Sequence, residues 1–363
     1  RSYSVTGVQT CALPIYNLYR THAFRFILPV MGELGPFGAL TVTPGAERES
    51  YRPDHKLETG SPLSCDRTRI SAVADASVKL FGERLALSGN ATRERLHSTF
   101  EGQPSPFNRV TPKPDFTGMT NLHAGFRWAA KRFLSFTVNW SDVTRAPGFA
   151  ELFGDRGTTV SNPDLKPERT FRRDAGVRVS GSHGYGALTL EGAYFSNNNR
   201  NLIQWYTNDA GFLFPANVAG SYVRGAEIVW SGRLGRLSFS GSRTFQSSKV
   251  TGEANRIYRD KKLPNRPERH GVMTWELRLP HVTPSWTVDS RGAYYLDRAN
   301  QAHKRYPGRT IHDIGMNIDA GVPGMRVFLN ARNIGDVHTF DTQGMPLPGR
   351  SFMASVSWTV GKE

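Results

Sequence analysis

The chain has 363 residues, 38% of them hydrophobic, with 36 glycines and a formal net charge of +15 at pH 7. Its mean hydropathy is −0.45, and no run approaches the roughly 18 uncharged apolar residues that a transmembrane helix needs. A spanning helix is excluded but a membrane is not, because barrel strands need only about 9–11 residues with every second one polar.

The net charge admits nucleic acid, anionic lipid or an anionic ligand as partner. The two cysteines give neither a zinc spacing nor a disulfide framework. Val5–Ile15, VTGVQTCALPI, reads as the forward translation of a common short-read sequencing adapter. Residues 1–15 are therefore expected to be an artefact and residues 16–363 the native part, beginning upstream of the recovered stretch. Cys11 then drops out and Cys65 is the one native cysteine.

Beyond that point, alternation with a period of two dominates, the mark of β-strands with one apolar and one polar face. Leu85, Leu87, Gly89 and Ala91 share a face, as do Leu122, Ala124, Phe126 and Trp128. The pattern returns at Leu134, Phe136, Val138 and Trp140, at Leu188, Leu190, Gly192 and Tyr194, and at Trp275, Leu277 and Leu279. It is cleanest at the end, where Phe352, Ala354, Val356, Trp358 and Val360 alternate with Met353, Ser355, Ser357 and Thr359.

Two kinds of connection alternate between the strands. Short ones, mostly built on Gly and Pro as tight turns require, are 81–84, 130–132, 181–186, 232–235, 280–284 and 321–324. Long ones are 97–120, 145–170, 197–221, 247–269, 297–309 and 335–349. Roughly 15 strands follow, more than an open sheet normally carries. Long antiparallel hairpins with short turns at one end and long loops at the other predict an all-β transmembrane antiparallel barrel. Trp128, Trp140, Trp230, Trp275 and Trp358 fall near strand ends, where interfacial aromatic girdles belong.

Four motifs then resemble one family. Thr144–Glu168, TRAPGFAELFGDRGTTVSNPDLKPE, resembles the R-A-P-x-x-x-E-L-(F/Y) … N-P-x-L-x-P-E segment of TonB-dependent outer-membrane receptors. Asn217–Glu227 resembles their N-V-x-x-A-x-x-x-G-x-E strand, and Leu263–His270 their L-P-x-R-P-x-H segment with one extra residue before the histidine. Asn330–Phe352 resembles their closing strand pair, with Asn333-Ile334-Gly335-Asp336 in place of N-L-x-D and then Pro348-Gly349-Arg350. In order, the motifs cover the last three-fifths of the chain.

The resemblance implies a 22-stranded barrel in the outer membrane of a Gram-negative bacterium, so that about 15 strands make a partial barrel. It also implies an N-terminal plug and a segment contacting TonB, neither of which this sequence contains; a fragment without them is not expected to transport alone. The implied activity is energy-coupled uptake of a scarce large solute. A ferric siderophore is favoured over cobalamin, and haem is disfavoured because Gly148–Ser161 lacks the histidine that haem receptors place there. His281, His303 and His312 read as solvated rather than metal-binding. No metal, cofactor or catalytic constellation is expected, and Glu151 with Glu168 does not read as a glycosidase pair.

The family-motif residues Arg145, Ala146, Pro147, Glu151, Leu152, Asn162, Pro163, Leu165, Pro167 and Glu168 are expected to be scaffold first and ligand-proximal second, since prolines stiffen the loop and Asn162 and Glu168 can satisfy backbone donors. Pro348, Gly349, Arg350, Phe352 and Trp358 belong to the closing strand. The resemblance implies that this strand carries the signal for the barrel-assembly machinery, here degraded or shifted, since Gly361-Lys362-Glu363 follow where relatives end on an aromatic and Trp358 is the nearest one. Basic residues crowd two connections, one holding Arg256, Arg259, Lys261, Lys262, Arg266 and Arg269, the other Arg145, Arg156, Lys166, Arg169, Arg172 and Arg173. The expected partners are outer-membrane lipid and lipopolysaccharide phosphates, an unidentified small-molecule ligand, and TonB in the full-length protein; nucleic acid fits poorly. A plugless diffusion barrel and a soluble all-β binding protein are the alternatives.

Overall fold

In a computed structural model the described residues are 19–33, 38–53, 64–101, 115–153, 160, 162–207, 213–253, 255–342 and 345–359. The adapter-like stretch 1–15 lies outside them. In chain order they form β1 (Tyr19–Ile27), β2 (Val30–Glu33), β3 (Gly38–Pro53), β4 (Ser64–Leu80), β5 (Leu85–Glu101), β6 (Asp115–Lys131) and β7 (Leu134–Arg145). A five-residue helix, α1 (Phe149–Phe153), precedes β8 (Glu168–His183), β9 (Gly186–Thr207), β10 (Leu213–Leu234), β11 (Leu237–Thr251), β12 (Arg269–Leu277) and β13 (Val282–Arg291). Then come β14 (Tyr294–Tyr295), β15 (Arg305–Tyr306), β16 (Arg309–Asp319), β17 (Met325–Arg332), β18 (Phe340–Thr342), β19 (Met345–Pro346) and β20 (Ser351–Trp358).

One antiparallel sheet holds sixteen of these strands. Its path runs β1-β3-β4-β5-β6-β7-β8-β9-β10-β11-β12-β13-β16-β17-β20, with β2 beside β3. Each strand on the path pairs its nearest main strand in sequence, which is the meander of a barrel wall rather than a sandwich. The ribbons β14-β15 and β18-β19 sit within long connections. Among the described residues no helix is long and apolar enough to cross a membrane.

Register carries the alternation from strand to strand. Leu87 pairs Phe126, Phe126 pairs Val138, Val138 pairs Ala175, and Ala175 pairs Tyr194. Farther along, Trp275 pairs Trp286, Trp286 pairs Ile314, and Met316 pairs Leu329. The intervening residues form the opposite, polar face, where Asn139 donates to Asp174 at 2.7 Å and Arg178 pairs Glu191 at 3.0 Å. On β8 to β10 the apolar face is the more exposed of the two, with Leu190 at 44% and Tyr194 at 54%. A soluble sheet would do the reverse. Exposed apolar outside and shielded polar inside is the arrangement of a wall solvated by lipid.

Aromatic rings stack along the short-turn edge of that band: Trp128 on Phe136 at 5.6 Å and Trp275 on Trp286 at 4.8 Å between centroids. Trp230 and Phe239 lie across the cross-strand glycines Gly241 and Gly232, where an added Cβ would meet the rings at 2.6 and 2.4 Å. Small residues there let the rings lie flat on the sheet. Trp140 meets Phe171 edge-on at 5.6 Å toward the opposite end.

The face assignment predicts that Val356→Arg, on the outward face at 61% exposure, costs about 2–4 kcal/mol in a bilayer near the midplane and less toward the interface. Ser357→Arg, on the opposite face, should cost far less; urea unfolding in lipid vesicles separates them, and equal losses would contradict the assignment.

Some expected boundaries move. The stretch 197–221 is strand for most of its length, with Asn198 paired to Tyr222 and Asn199 to Ser221. Asn199 Nδ2 donates to Ser221 Oγ at 3.1 Å, so hydrogen bonds there replace the apolar pattern that marks strands in lipid. Likewise β5 runs past His97 to Glu101 and β6 starts at Asp115. Arg169, Arg172 and Arg173 belong to β8 rather than to a loop. The turn after β8 is narrower than 181–186, since β8 ends at His183 and β9 begins at Gly186.

Candidate functional site at the mouth of the barrel

At the long-loop end, the connection between β7 and β8 folds back against the wall. Arg145, the last residue of β7, forks between two carboxylates. Its terminal nitrogens meet both oxygens of Glu151 at 2.9 and 3.0 Å, and its Nε donates to Glu168 Oε1 at 2.7 Å. Burial alone would lower the Arg145 pKa, but the bonds from Glu151 and Glu168 outweigh it and raise the pKa, so the cation is held firmly charged. Glu151 also accepts from the Gly148 backbone N–H at 2.7 Å, and Glu168 Oε2 accepts from the Ile203 N–H at 3.0 Å. The short helix α1 starts beside Gly148, the Leu152 N–H closing on the Gly148 carbonyl at 3.0 Å.

This loop is clamped at both ends. Toward β4, the buried Arg67 donates to the Pro147 carbonyl at 2.9 Å and to Ser98 Oγ at 3.1 Å, while its guanidinium lies 4.6 Å from the centre of the Phe149 ring. Pro147, Phe149, Leu152 and Leu165 are all buried. Toward β10, Asn162 Nδ2 donates to the Pro215 carbonyl at 2.9 Å, and Asn217 exchanges hydrogen bonds with the Lys166 backbone at 2.8 and 3.0 Å. Ala146, Pro163 and Pro167 are half-buried along the same path. The connection therefore reaches from β4 to β10 across the inner rim.

A second shelf continues it. Tyr206, Val218, Val223, Val250 and Leu263 form a buried apolar cluster, edged by Leu202 and Phe214. Leu263 enters it with its backbone N–H on Ser248 Oγ at 3.2 Å, and the prolines after it are held through carbonyls: Gln204 donates to Pro264 at 3.3 Å and Gln246 to Pro267 at 2.8 Å. Above them Arg298 lies between the rings of Tyr206 and Tyr258, at 4.8 and 4.5 Å, and pairs Glu253 at 3.0 Å. Burial pushes the Tyr206 phenol up to about 12. Tyr206→Phe should therefore leave stability within about 1 kcal/mol of the parent, because its hydroxyl has no hydrogen-bond partner among the described residues. Tyr206→Ala should cost about 3–5 kcal/mol by cavity formation; thermal unfolding of both variants checks the pair.

The closing motif is a third tie. Asn333 accepts from the Val337 N–H at 2.9 Å and donates to the Val337 and Pro348 carbonyls at 3.0 and 3.3 Å. Asp336 accepts from the Arg350 N–H at 2.8 Å, beside the half-buried Gly349. Phe352 and Trp358 project from β20 at 76% and 66% exposure.

The motif residues from β7 to β12 thus come together at one rim, while the Asn333–Arg350 set stands apart at the last strands. Sequence reasoning missed Arg67 and the Tyr206–Arg298–Tyr258 stack; no local pattern marks either. The basic connection at 256–269 is partly neutralised, with Lys262 on Glu268 at 2.7 Å and Lys249 on Asp260 at 3.0 Å. His281 and His303 lie in connections and His312 stacks on Trp286 at 5.8 Å. Among the described residues no group of three or more His, Cys, Asp or Glu is placed to hold a metal ion. The arrangement can shape a polar-lined opening and hold loops over it.

Comparison with known proteins agrees with this architecture. The family model described as TonB dependent receptor-like, beta-barrel matches residues 19–334. Transferrin-binding protein A of Neisseria meningitidis serogroup B is 34% identical over 151 residues, covering 36% of this chain and 16% of that protein. Heme/hemopexin utilization protein C of Haemophilus influenzae is 24% identical over 173 residues, covering 43% of this chain and 23% of that protein. The structure of the siderophore receptor PiuA from Acinetobacter baumannii superposes with a TM-score of 0.72 at 16% identity, over 94% of this chain and 56% of that one. The matches span less than two thirds of each of these relatives.

Proposed function

Because the chain belongs to the TonB-dependent receptor family, as part of its β-barrel, we propose that it forms the wall and mouth of an outer-membrane receptor for energy-coupled uptake of an iron-bearing solute. The observation that carries this reading is the inward-folded rim. Motifs from β7 to β12 hold one another through the Arg145 fork, the Arg67 clamp and the Leu263 cluster, an investment suited to a ligand-admitting mouth. The three relatives are named for transferrin, heme/hemopexin and siderophore, which supports iron as the cargo element. A ferric siderophore is the favoured form; the absence of histidine between Gly148 and Ser161 argues against haem ligation at that loop, and cobalamin ranks behind the siderophore.

In this reading the motif residues position the rim, TonB acts on the full-length protein through an N-terminal segment, and the barrel-assembly machinery recognises the last strand. Uptake needs no covalent chemistry from the wall. The test is radiolabelled ferric-siderophore uptake by a Gram-negative host lacking its own receptors and expressing the full-length gene, with and without TonB. TonB-dependent uptake is expected. Uptake that persists without TonB would favour the plugless diffusion barrel, and TonB-dependent growth on haem or cobalamin alone would overturn the siderophore assignment.

A further inference from the structure

The outward face just beyond the apolar band carries an unusual charge pattern on β8, β9 and β10. Arg169 and Arg200 are direct cross-strand partners, and Arg173 and Arg224 both flank Ser196, one from each side. All four arginines are exposed. Like charges set opposite one another in a sheet are destabilising. The outward positions beside them on β7 to β10 supply one carboxylate, Asp142, whose Oδ1 accepts from Arg169 Nε at 2.7 Å. Asp142, Arg169, Phe171, Asn198 and Arg200 line a cavity of about 350 Å³ opening on this face.

Rings separate the two arginine levels, Phe171 and Tyr222 standing one outward position from Arg173 and Arg224 toward the long loops. Arg173 lies 4.5 Å from the centre of Phe171 and Arg224 5.1 Å from that of Tyr222, while Trp140 abuts Phe171. Two cationic levels above an apolar band, with aromatics between them, match a lipid whose headgroup is anionic and whose chains lie along the wall. A soluble anion would satisfy the guanidinium groups but not explain why the row stands on the lipid-facing side.

We infer that Arg169, Arg173, Arg200 and Arg224 form an outward-facing site for the phosphorylated headgroup of an outer-leaflet lipid. The site rests on the outer-membrane reading above. Bound phosphate relieves the Arg169–Arg200 opposition and cements the long-loop ends of β8 to β10, the strands that carry the rim.

The test uses the whole chain in detergent micelles, titrated with diphosphoryl lipid A, monophosphoryl lipid A and inorganic phosphate, with binding read by native mass spectrometry and by thermal shift. Diphosphoryl lipid A is expected to bind and to raise the melting temperature. Arg169→Gln with Arg200→Gln should weaken that binding by about tenfold or more. Without lipid, Arg200→Gln alone should be no less stable than the parent, because it removes the repulsion and leaves the Arg169–Asp142 pair in place; weaker lipid A binding by this variant separates lost binding from lost folding. Arg172→Gln, the neighbour on the other face, should bind as the parent does. Undiminished lipid A binding by the double variant, or competition by millimolar inorganic phosphate alone, would overturn the site. Insertion into phospholipid vesicles is scored in parallel: a chain that inserts but fails the lipid A test refutes only the site, whereas failure to insert refutes the membrane reading itself.

Discussion

Val177→Arg is expected to destabilise the folded wall by about 2–4 kcal/mol in a lipid bilayer, while Arg178→Val, one residue along the same strand, changes it by less than about 1 kcal/mol. Val177 sits on the outward face between Phe136 and Gly192. Arginine there must either bury its charge among acyl chains or distort the strand to reach water. Arg178 faces the other way and already carries such a charge, paired with Glu191 at 3.0 Å and 54% exposed. Losing a half-exposed ion pair of that kind costs little. Nature has thus placed the same side chain at the adjacent position without penalty, which makes the comparison internally controlled. Urea unfolding of both variants in vesicles reads the difference, and similar losses for the two would mean the faces are not distinguished by solvent.

The second large effect concerns the Arg145 fork. Arg145→Met should cost about 2–3 kcal/mol, below the roughly 3–5 kcal/mol for a fully buried ion pair because the Arg145 side chain is 44% exposed. The loss comes mainly from Glu151, which is 9% exposed and would face Glu168 without the cation between them. Adding Glu151→Gln and Glu168→Gln to Arg145→Met should recover most of the stability, since neutral amides need no counter-charge. Protease nicking between β7 and β8 is a local readout of the same event. It should rise in Arg145→Met and fall back in the triple variant. A triple variant no better than the single one would show that Arg145 acts through packing instead.

Much of this architecture was legible in the sequence for a physical reason: a barrel wall is one layer thick, so each strand displays its two solvents directly as alternation. Leu134 to Trp140 and Phe352 to Trp358 needed no tertiary information. About 15 strands were expected and the path holds fifteen, because the turn chemistry that separates them is local. Beyond the apolar band the same logic fails. Around Asn197–Ser221 the alternation breaks, because Tyr206 and Val218 pack against Leu263 and side-chain bonds such as Asn199 to Ser221 join the strands. The arginine row was misread for the same reason: Arg169 and Arg173 looked like loop charge, and only register shows them standing outward beside Arg200 and Arg224.

The rim was half legible. The motif residues could be named, but Arg67 could not, since its partner carbonyl at Pro147 lies eighty positions away and an arginine at an alternating position is ordinary. The stacking of Arg298 on Tyr206 depends equally on loop conformation. Contacts of this range are products of tertiary folding, and no periodicity encodes them.

The central claim is that the apolar face meets lipid and the polar face meets water. Nitroxide labels placed singly at residues 174 to 179 of β8 in vesicles, read for accessibility to oxygen and to a water-soluble nickel chelate, test it most directly. The account predicts oxygen maxima at 175, 177 and 179 and nickel maxima at 174, 176 and 178. Chelate access at the odd positions equal to that at the even ones would place water on both faces and contradict it.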